Sequence, residues 1–267
     1  MKGSILGLAA VAGLALAGCD DMHVSFGHHG GQWGSGVKGS GNVKTETRDV
    51  ANFHSLKAGG ALHIKLQVGT ATSFKIEGED NILPLIKSEV KDGQLLIYTE
   101  KSINPKKDIN VTLTTPNIDD LDISGASQLD ATGLKADSLN LDFSGASKIT
   151  LDGAGKDVVV DFSGASEVTI DGLHAQKISG ELSGASHLTA KGSIDLVELE
   201  LSGASEADLY HAPGKNGKIT LSGASTMKIV ASEGLEADLS GASDLKYKAS
   251  HNVHIHKDGA SDSHQID

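Results

Sequence analysis

Eight positions at intervals of 18 to 20 residues carry mostly acidic side chains: Asp122, Asp142, Asp161, Glu181, Glu200, Thr220, Asp238 and His256. If the repeats stack as strands, these side chains lie about 4.8 Å apart on one face. Like charges this close repel each other, so the column either stays in water or binds cations. Calcium favours several oxygen ligands at once, and the neighbours Asp142 and Asp161 form the candidate calcium pair. The alternative is a solvated acidic stripe that keeps the protein soluble.

The sequence supports two other chemistries, polysaccharide cleavage and zinc binding, less well. Stacked acids occur in the clefts of β-helical polysaccharide lyases and hydrolases, but those enzymes need a placed acid and base and cations that hold acidic sugar. The sequence shows no matching Lys or Arg cluster, so a polysaccharide-acting enzyme is the less favoured alternative and no catalytic residue is predicted. His254 and His256 point the same way on a strand, a spacing that can bind zinc. No third ligand is evident, which favours a plain surface pair.

The acidic column belongs to a repeat built around Ser-Gly-Ala-Ser, which has seven full copies and a decayed eighth, Asp258–Ser261. The full copies are Ser124–Ser127, Ser144–Ser147, Ser163–Ser166, Ser183–Ser186, Ser202–Ser205, Ser222–Ser225 and Ser240–Ser243. A fixed period of this size indicates stacked repeats. Because a catalytic serine needs a unique base, seven equivalent serines are better explained as corners.

Apolar and polar residues alternate on both sides of each phrase, as in Leu141–Phe143 and Lys148–Leu151. This period of two predicts a strand, a corner, a second strand and a Gly-containing turn in each repeat. Gly permits the corner, and Ala is expected to turn inward. Coils of 19–20 residues favour an all-β fold, a right-handed parallel β-helix, or solenoid. A β-sandwich would not need so regular a period, and a propeller needs about 40 residues per blade.

Composition narrows the possible partners. The formal net charge of −12 argues against nucleic acid and against direct docking on anionic lipid. The single cysteine excludes an internal disulfide.

The N-terminus predicts a lipid anchor. Lys2 precedes a short apolar stretch, so residues 1–18 are predicted to be a signal peptide. Leu16-Ala17-Gly18-Cys19 resembles a bacterial lipobox, which makes Cys19 the predicted lipid attachment site, with acyl chains such as palmitate. An ordinary signal peptide with a chance cysteine is the alternative.

The remaining chain divides into three regions. Residues 19–43, rich in Gly and His, are expected to be a flexible tether, with a loose histidine chelator as the alternative. Residues 44–120 form a diverged N-terminal β region that caps the stack, with a corner-like Ala58–Ala61 and a short helix or irregular excursion at 81–90. Residues 121–267 form the Ser-Gly-Ala-Ser β-helix.

Several stretches of the cap resemble a known family. They are Arg48–Val50 leading to Phe53, Gly78–Leu83 and Val90–Ile97, together with the small-residue corners. The chain is similar there to the auto-transporter adhesin, head GIN domain family of bacterial envelope proteins, over about residues 44–260. This resemblance implies an all-β, helix-like stack without established catalytic residues. The sequence departs from a true auto-transporter because the repeats leave no aromatic-girdled translocating barrel at the C-terminus.

Together these features predict a non-enzymatic, lipid-anchored protein of the bacterial cell envelope that serves adhesion, interaction or structure. The location is the periplasmic face of the inner membrane, or the outer membrane and cell surface. The expected partners are the membrane, through the lipid, and an envelope protein or glycan. A calcium-binding structural β-helix is the alternative.

Overall fold

The computed structural model describes residues 36–267, and the predicted signal peptide, Cys19 and most of the tether lie outside this range. The described chain is built from strands and one 3-10 helix, Leu83–Leu85. The strands are β1 Val37–Lys38, β2 Val43–Thr47, β3 Ser55–Ala58, β4 Leu62–Val68, β5 Ser73–Glu79, β6 Ile86–Lys91, β7 Gln94–Thr99, β8 Ile103–Asn104, β9 Ile109–Thr115, β10 Asp120–Ile123, β11 Gln128–Phe143, β12 Lys148–Phe162, β13 Glu167–Leu182, β14 His187–Leu201, β15 Glu206–Asp208, β16 Gly214–Leu221, β17 Thr226–Leu239, β18 Asp244–Ala249, β19 Val253–Lys257 and β20 Asp262–Gln265.

Stacked parallel coils make up the body of the molecule. From β10 onward, each coil pairs in parallel with the coils before and after it, and the register matches equivalent repeat positions. About seven turns stack in this way. The predicted parallel β-helix is therefore confirmed.

Several coils contain fewer separate strands than the sequence predicts, whereas the coils with β15 and β16 and with β18 and β19 keep two. The two strands expected around a Gly turn merge into one long strand of 15 or 16 residues in β11 to β14. The strands bend at Gly133, Gly153, Gly172 and Gly192, which all have positive φ. The register shifts at the first three of these bends. β11 stays paired with β12, and β13 with β14, around these bends with a short register shift, whereas the pairing of β12 with β13 is interrupted over 153–156. Glycine supplies the positive φ that turns the chain at each bend.

The Ser-Gly-Ala-Ser phrase forms the second corner. The N–H of each Ala donates to the carbonyl of the Gly one coil earlier, as from Ala146 to Gly125 at 2.7 Å. A Cβ on Gly145 would lie 2.3 Å from that same carbonyl oxygen, so only glycine fits. The expectation that Ala turns inward is wrong. Ala146 is exposed, and it is the final serine, Ser147, that is buried.

The core is a continuous column of aliphatic side chains inside the coils. Alternate residues such as Leu141, Phe143, Ile149 and Leu151 are at most 1% exposed. Phe143 stacks on Phe162 of the next coil, with ring centroids 5.2 Å apart. Each fully buried Leu, Ile or Phe contributes roughly 1.5–3 kcal/mol, and the stack supplies such residues in every coil.

The N-terminal region differs from the stack in strand direction, as a cap should. β3 and β4 join the parallel stack, and the Gly60 carbonyl accepts the Ala126 N–H, which confirms Ala58–Ala61 as a corner. Beyond them, β6 runs antiparallel to β7, and β5 runs antiparallel to β9 and to β2. The excursion predicted at 81–90 is the 3-10 helix followed by β6. Charged residues on the edge strands β2 and β6 discourage edge-to-edge pairing.

Residues 36–43, the last part of the predicted tether, pack against the domain. β1 pairs with β8, and Asn81 Nδ2 donates to the Lys38 carbonyl at 2.8 Å. The buried Glu79 carboxylate accepts the N–H groups of Gly41 at 2.6 Å and Lys106 at 2.8 Å. Burial alone would raise the pKa of Glu79, but these backbone donors outweigh burial and lower it. Residues 36–43 are thus held by a buried charge that sequence periodicity does not show.

Candidate functional site

The predicted acidic column exists and starts one coil earlier than the sequence indicates. We call this column the acidic face. Its members, in register from coil to coil, are Lys57, Asp122, Asp142, Asp161, Glu181, Glu200, Thr220, Asp238 and His256. From Asp142 onward every member is exposed. The extra member, Lys57, comes from the cap, whose divergence hid the alignment in the sequence.

Within residues 36–267, only the first acid of this face forms an ion pair. Lys57 Nζ forms an ion pair with Asp122. Among residues 36–267, the five carboxylates from Asp142 to Asp238 make no side-chain hydrogen bond or ion pair. Desolvation, reinforced by the charges of Asp122 and Asp161, raises the pKa of Asp142. The acidic face therefore carries uncompensated negative charge.

Asp142 and Asp161 are register neighbours, as the calcium hypothesis requires. Within residues 36–267, however, no three His, Cys, Asp or Glu side chains are grouped so that they could hold a metal ion. Calcium binding at this pair stays a prediction. His254 and His256 lie side by side on exposed β19, with Glu236 and Asp238 as register partners on β17. No group of three metal-binding side chains within residues 36–267 includes these two histidines, and zinc binding there stays a prediction.

The strand after each corner carries a second outward column, in which neighbouring coils pair several of their side chains. We call this column the paired face: His63, Gln128, Lys148, Glu167, His187, Glu206, Thr226, Asp244 and Asp262. Lys148 Nζ lies 2.8 Å from Glu167 Oε1, and His187 Nδ1 lies 3.3 Å from Glu206 Oε2. Lys148 lowers the pKa of Glu167 through a hydrogen bond and its charge.

The last serine of most Ser-Gly-Ala-Ser phrases uses its hydroxyl to form the corner. The last serine of each full phrase is at most 2% exposed. In the first six, Oγ donates to the carbonyl of the serine three residues earlier, as from Ser186 to Ser183 at 2.7 Å. Buried hydroxyls bonded to backbone carbonyls stabilise a turn and are poorly placed to attack a substrate.

A polar groove on a third side of the coil is the feature that sequence reasoning missed. It has a volume of about 650 Å³ and crosses the first coils at the Gly bend and the adjoining strand edge. Its lining combines residues that lie far apart in the sequence: Asn117, Asp119, Lys135, Ala136, Asp137, Ser138, Asn140, Gly155, Lys156 and His174. The volume falls within the range of about 300–1,000 Å³ typical of ligand sites. No motif marks the groove, because it forms where coils of unequal length meet.

The fold and these surfaces define a class: a β-solenoid with a cap, two contrasting flat faces and an open groove. No helix among residues 36–267 is long and apolar enough to cross a bilayer. Residues 52–250 match the family "Putative auto-transporter adhesin, head GIN domain". The chain belongs to this family, as the cap motifs predict. A search of curated proteins finds no match.

Solved structures share the fold. One is described as a putative adhesin from Parabacteroides merdae, with a TM-score of 0.82 and 16% identity over 86% of this chain and 99% of that one. A putative lipid binding protein from Parabacteroides distasonis has a TM-score of 0.81 and 14% identity at the same coverage. A putative adhesin from Bacteroides fragilis has a TM-score of 0.66 and 22% identity over 86% and 100% of the two chains. At these identities the similarity establishes the fold alone.

Proposed function

We propose that this protein is a non-enzymatic, adhesin-like binding module that a lipid on Cys19 holds at the bacterial cell envelope. Membership of the head GIN domain family supports an adhesin-like role at the envelope or surface. The lipobox-like Leu16–Cys19 supports the anchor. The structure supports binding through the polar groove, which is the observation that carries the proposal.

The acidic face and the stacked coils under the groove suit this role in different ways. The uncompensated acidic face and the net charge of −12 repel an anionic bilayer surface, so the solenoid stands away from the membrane that anchors it. The stack also supports the groove, since most of its lining residues, those from Lys135 to Asn140 and Gly155 to Lys156, sit on the paired strands β11 and β12. The solenoid is anchored to the membrane but repelled by its surface charge, and it presents its groove to an envelope protein or glycan.

The anchor and the location are tested together in the native bacterium. Wild-type protein should fractionate with membranes, and Cys19→Ser should release it. External protease should then be applied to intact cells, with opened cells as the control. Loss from intact cells supports adhesion to an outside partner, whereas loss only from opened cells directs the search to an internal envelope partner. Membrane association that survives Cys19→Ser contradicts the lipid anchor.

The enzymatic alternative has its own test. Purified protein should leave soluble polysaccharides uncleaved, as measured by the release of reducing ends. Cleavage that disappears in Asp142→Ala or Asp161→Ala would overturn the non-enzymatic role, because both acids lie on the acidic face where a lyase or hydrolase would place them.

A further inference from the structure

The groove has a definite structural origin. In the bend of β13, five residues at 172–176 stand opposite four in β12 at 153–156. His174 in the longer bend and Gly155 in the shorter one both line the groove. Gly155 is buried, and a Cβ there would lie 3.0 Å from the Cβ of the buried Leu139, so the added atom would press on the core and would not fill the groove. The groove therefore lies where bends of unequal length adjoin.

Both carboxylates of the groove already have a partner. Asp137 Oδ1 lies 2.6 Å from Lys156 Nζ, and Asp119 Oδ1 lies 2.9 Å from His54 Nδ1. Lys135 is exposed and forms no ion pair or side-chain hydrogen bond within residues 36–267. In a chain with a net charge of −12, this groove thus presents an unengaged cation next to acids that already have hydrogen-bond partners.

Neutral polar groups complete the lining. The side chains of Asn117, Ser138 and Asn140 make no side-chain hydrogen bond with the described residues. Each amide offers two donors and an acceptor, and a hydroxyl offers both roles. Ala136 supplies the one apolar side chain of the lining. The groove is thus rich in hydrogen-bonding groups and poor in the apolar pockets that would hold a peptide's side chains.

We propose that this groove binds a short acidic oligosaccharide, with a sugar carboxylate paired to Lys135 and sugar hydroxyls bonded to Asn117, Ser138 and Asn140. This inference rests on the proposed binding role and names its ligand class. A sugar chain offers many hydroxyls and few apolar groups, which matches the lining. Its carboxylate complements the free ammonium group.

The same groove is unsuited to cleaving the sugar. Cleavage by general acid catalysis needs a carboxyl whose pKa is raised, so that it holds a proton near neutral pH. The hydrogen bond and charge of Lys156 lower the pKa of Asp137 instead. Asp137 therefore orients Lys156 and the groove wall, and the bound saccharide is released unchanged.

Isothermal titration of the purified, detergent-solubilised chain with oligogalacturonate of three to five units tests the ligand class. The methyl-esterified oligomer is the matched probe, because it keeps the ring and hydroxyls but lacks the negative charge. We expect the acidic oligomer to bind and the ester to bind about tenfold more weakly, since one charge-assisted hydrogen bond is lost. Lys135→Ala should weaken binding of the acid about tenfold and should abolish the preference over the ester. Asn140→Ala should weaken both.

Lys248→Ala is the control, because Lys248 is exposed in β18, outside the lining. It should leave both affinities unchanged. The saccharide proposal is overturned if neither oligomer binds, if Lys135→Ala binds like wild type, or if a poly-glutamate peptide binds as tightly as the sugar acid. The function and the ligand class fail separately. Cells that still adhere through this protein while titration is silent contradict only the ligand class, whereas membrane association that survives Cys19→Ser contradicts the anchor alone.

Discussion

The acidic face and the paired face lie on the same coils but treat charge in opposite ways. On the paired face, several neighbouring coils bring complementary side chains together, as Lys148 meets Glu167 and His187 meets Glu206. On the acidic face, Asp142 and Asp161 meet as like charges. Parallel stacking places equivalent residues directly above each other, so one outward position per coil decides whether a face repels itself.

This contrast shows that the fold tolerates both a column of paired charges and a column of like charges. The backbone hydrogen bonds and the buried aliphatic column are shared by both faces, so repulsion on one face costs little compared with the common core. The outward positions are therefore free to be set by requirements other than stability, such as repulsion from an anionic membrane.

The largest effect should come from the corner that both faces share. Gly145→Ala places a Cβ 2.3 Å from the Gly125 carbonyl oxygen at a φ of +80°. We expect a loss of about 3 kcal/mol in the free energy of unfolding, because backbone strain and overpacking add. Urea unfolding gives the value, and hydrogen exchange should show lost protection on both faces.

Gly41→Ala is the matched control for that change. Gly41 has a φ of +90°, but its added Cβ would meet no atom within 4 Å. Strain alone should cost about 1 kcal/mol. Equal losses in the two variants would mean that the close approach between corners does not govern stability.

Replacing an acid by lysine should change the stability of the protein in opposite directions on the two faces. Asp161→Lys places a cation between Asp142 and Glu181 on the acidic face, whereas Glu167→Lys places a like charge beside Lys148 on the paired face. We expect the first to stabilise and the second to destabilise the protein by about 0.5 kcal/mol each at low salt. Thermal unfolding at low ionic strength and at 1 M salt measures both.

Salt supplies the internal control for this pair. Both effects should shrink at 1 M salt, where the Debye length falls to about 3 Å. Shifts of the same sign, or shifts that salt leaves unchanged, would show that local packing and strand propensity outweigh the electrostatic difference between the faces.

The faces should also differ in pH dependence. Because the pKa of Asp142 is raised above the ordinary 3.8, the native state holds that proton more tightly, and stability falls as pH rises through the raised pKa. Asp142→Asn should therefore be more stable than wild type near neutral pH and equal to it below the ordinary pKa. Urea unfolding between pH 3 and 7 gives the comparison.

Glu167 should behave in the reverse sense. Its pKa is lowered from 4.5, so its contribution is present above that value and is lost as pH falls through the lowered pKa. Glu167→Gln should thus be less stable than wild type near neutral pH and should converge with it in acid. Parallel pH profiles for the two variants would contradict the assignment of opposite environments.

The sequence predicts periodic features well and aperiodic ones poorly. The repeat period and the alternation around Leu141–Phe143 predict the coils, the corners and the register of the acidic face. Hydropathy predicts Ala as the inward residue of the corner, whereas the structure buries Ser147, whose hydroxyl can satisfy a corner carbonyl. A local hydrogen bond outweighed the hydropathy pattern there.

The groove and the buried Glu79 could not be predicted for a different reason. Both depend on segments far apart in the chain, since Asn117 and His174 line the same groove and Glu79 binds Gly41. The sequence gives no sign of which lysine lacks a partner at the groove. Such features follow from packing and not from period.

The smallest expected effect concerns calcium on the acidic face. No three carboxylates or imidazoles within residues 36–267 are grouped to hold an ion, so we expect calcium to act mainly by screening. Calcium and magnesium should then raise the melting temperature equally and without saturation, and Asp142→Asn should reduce the rise slightly. A saturable rise specific to calcium, reversed by chelator and lost in Asp142→Asn, would instead establish Asp142 and Asp161 as a calcium site, because screening does not distinguish two divalent ions of the same charge.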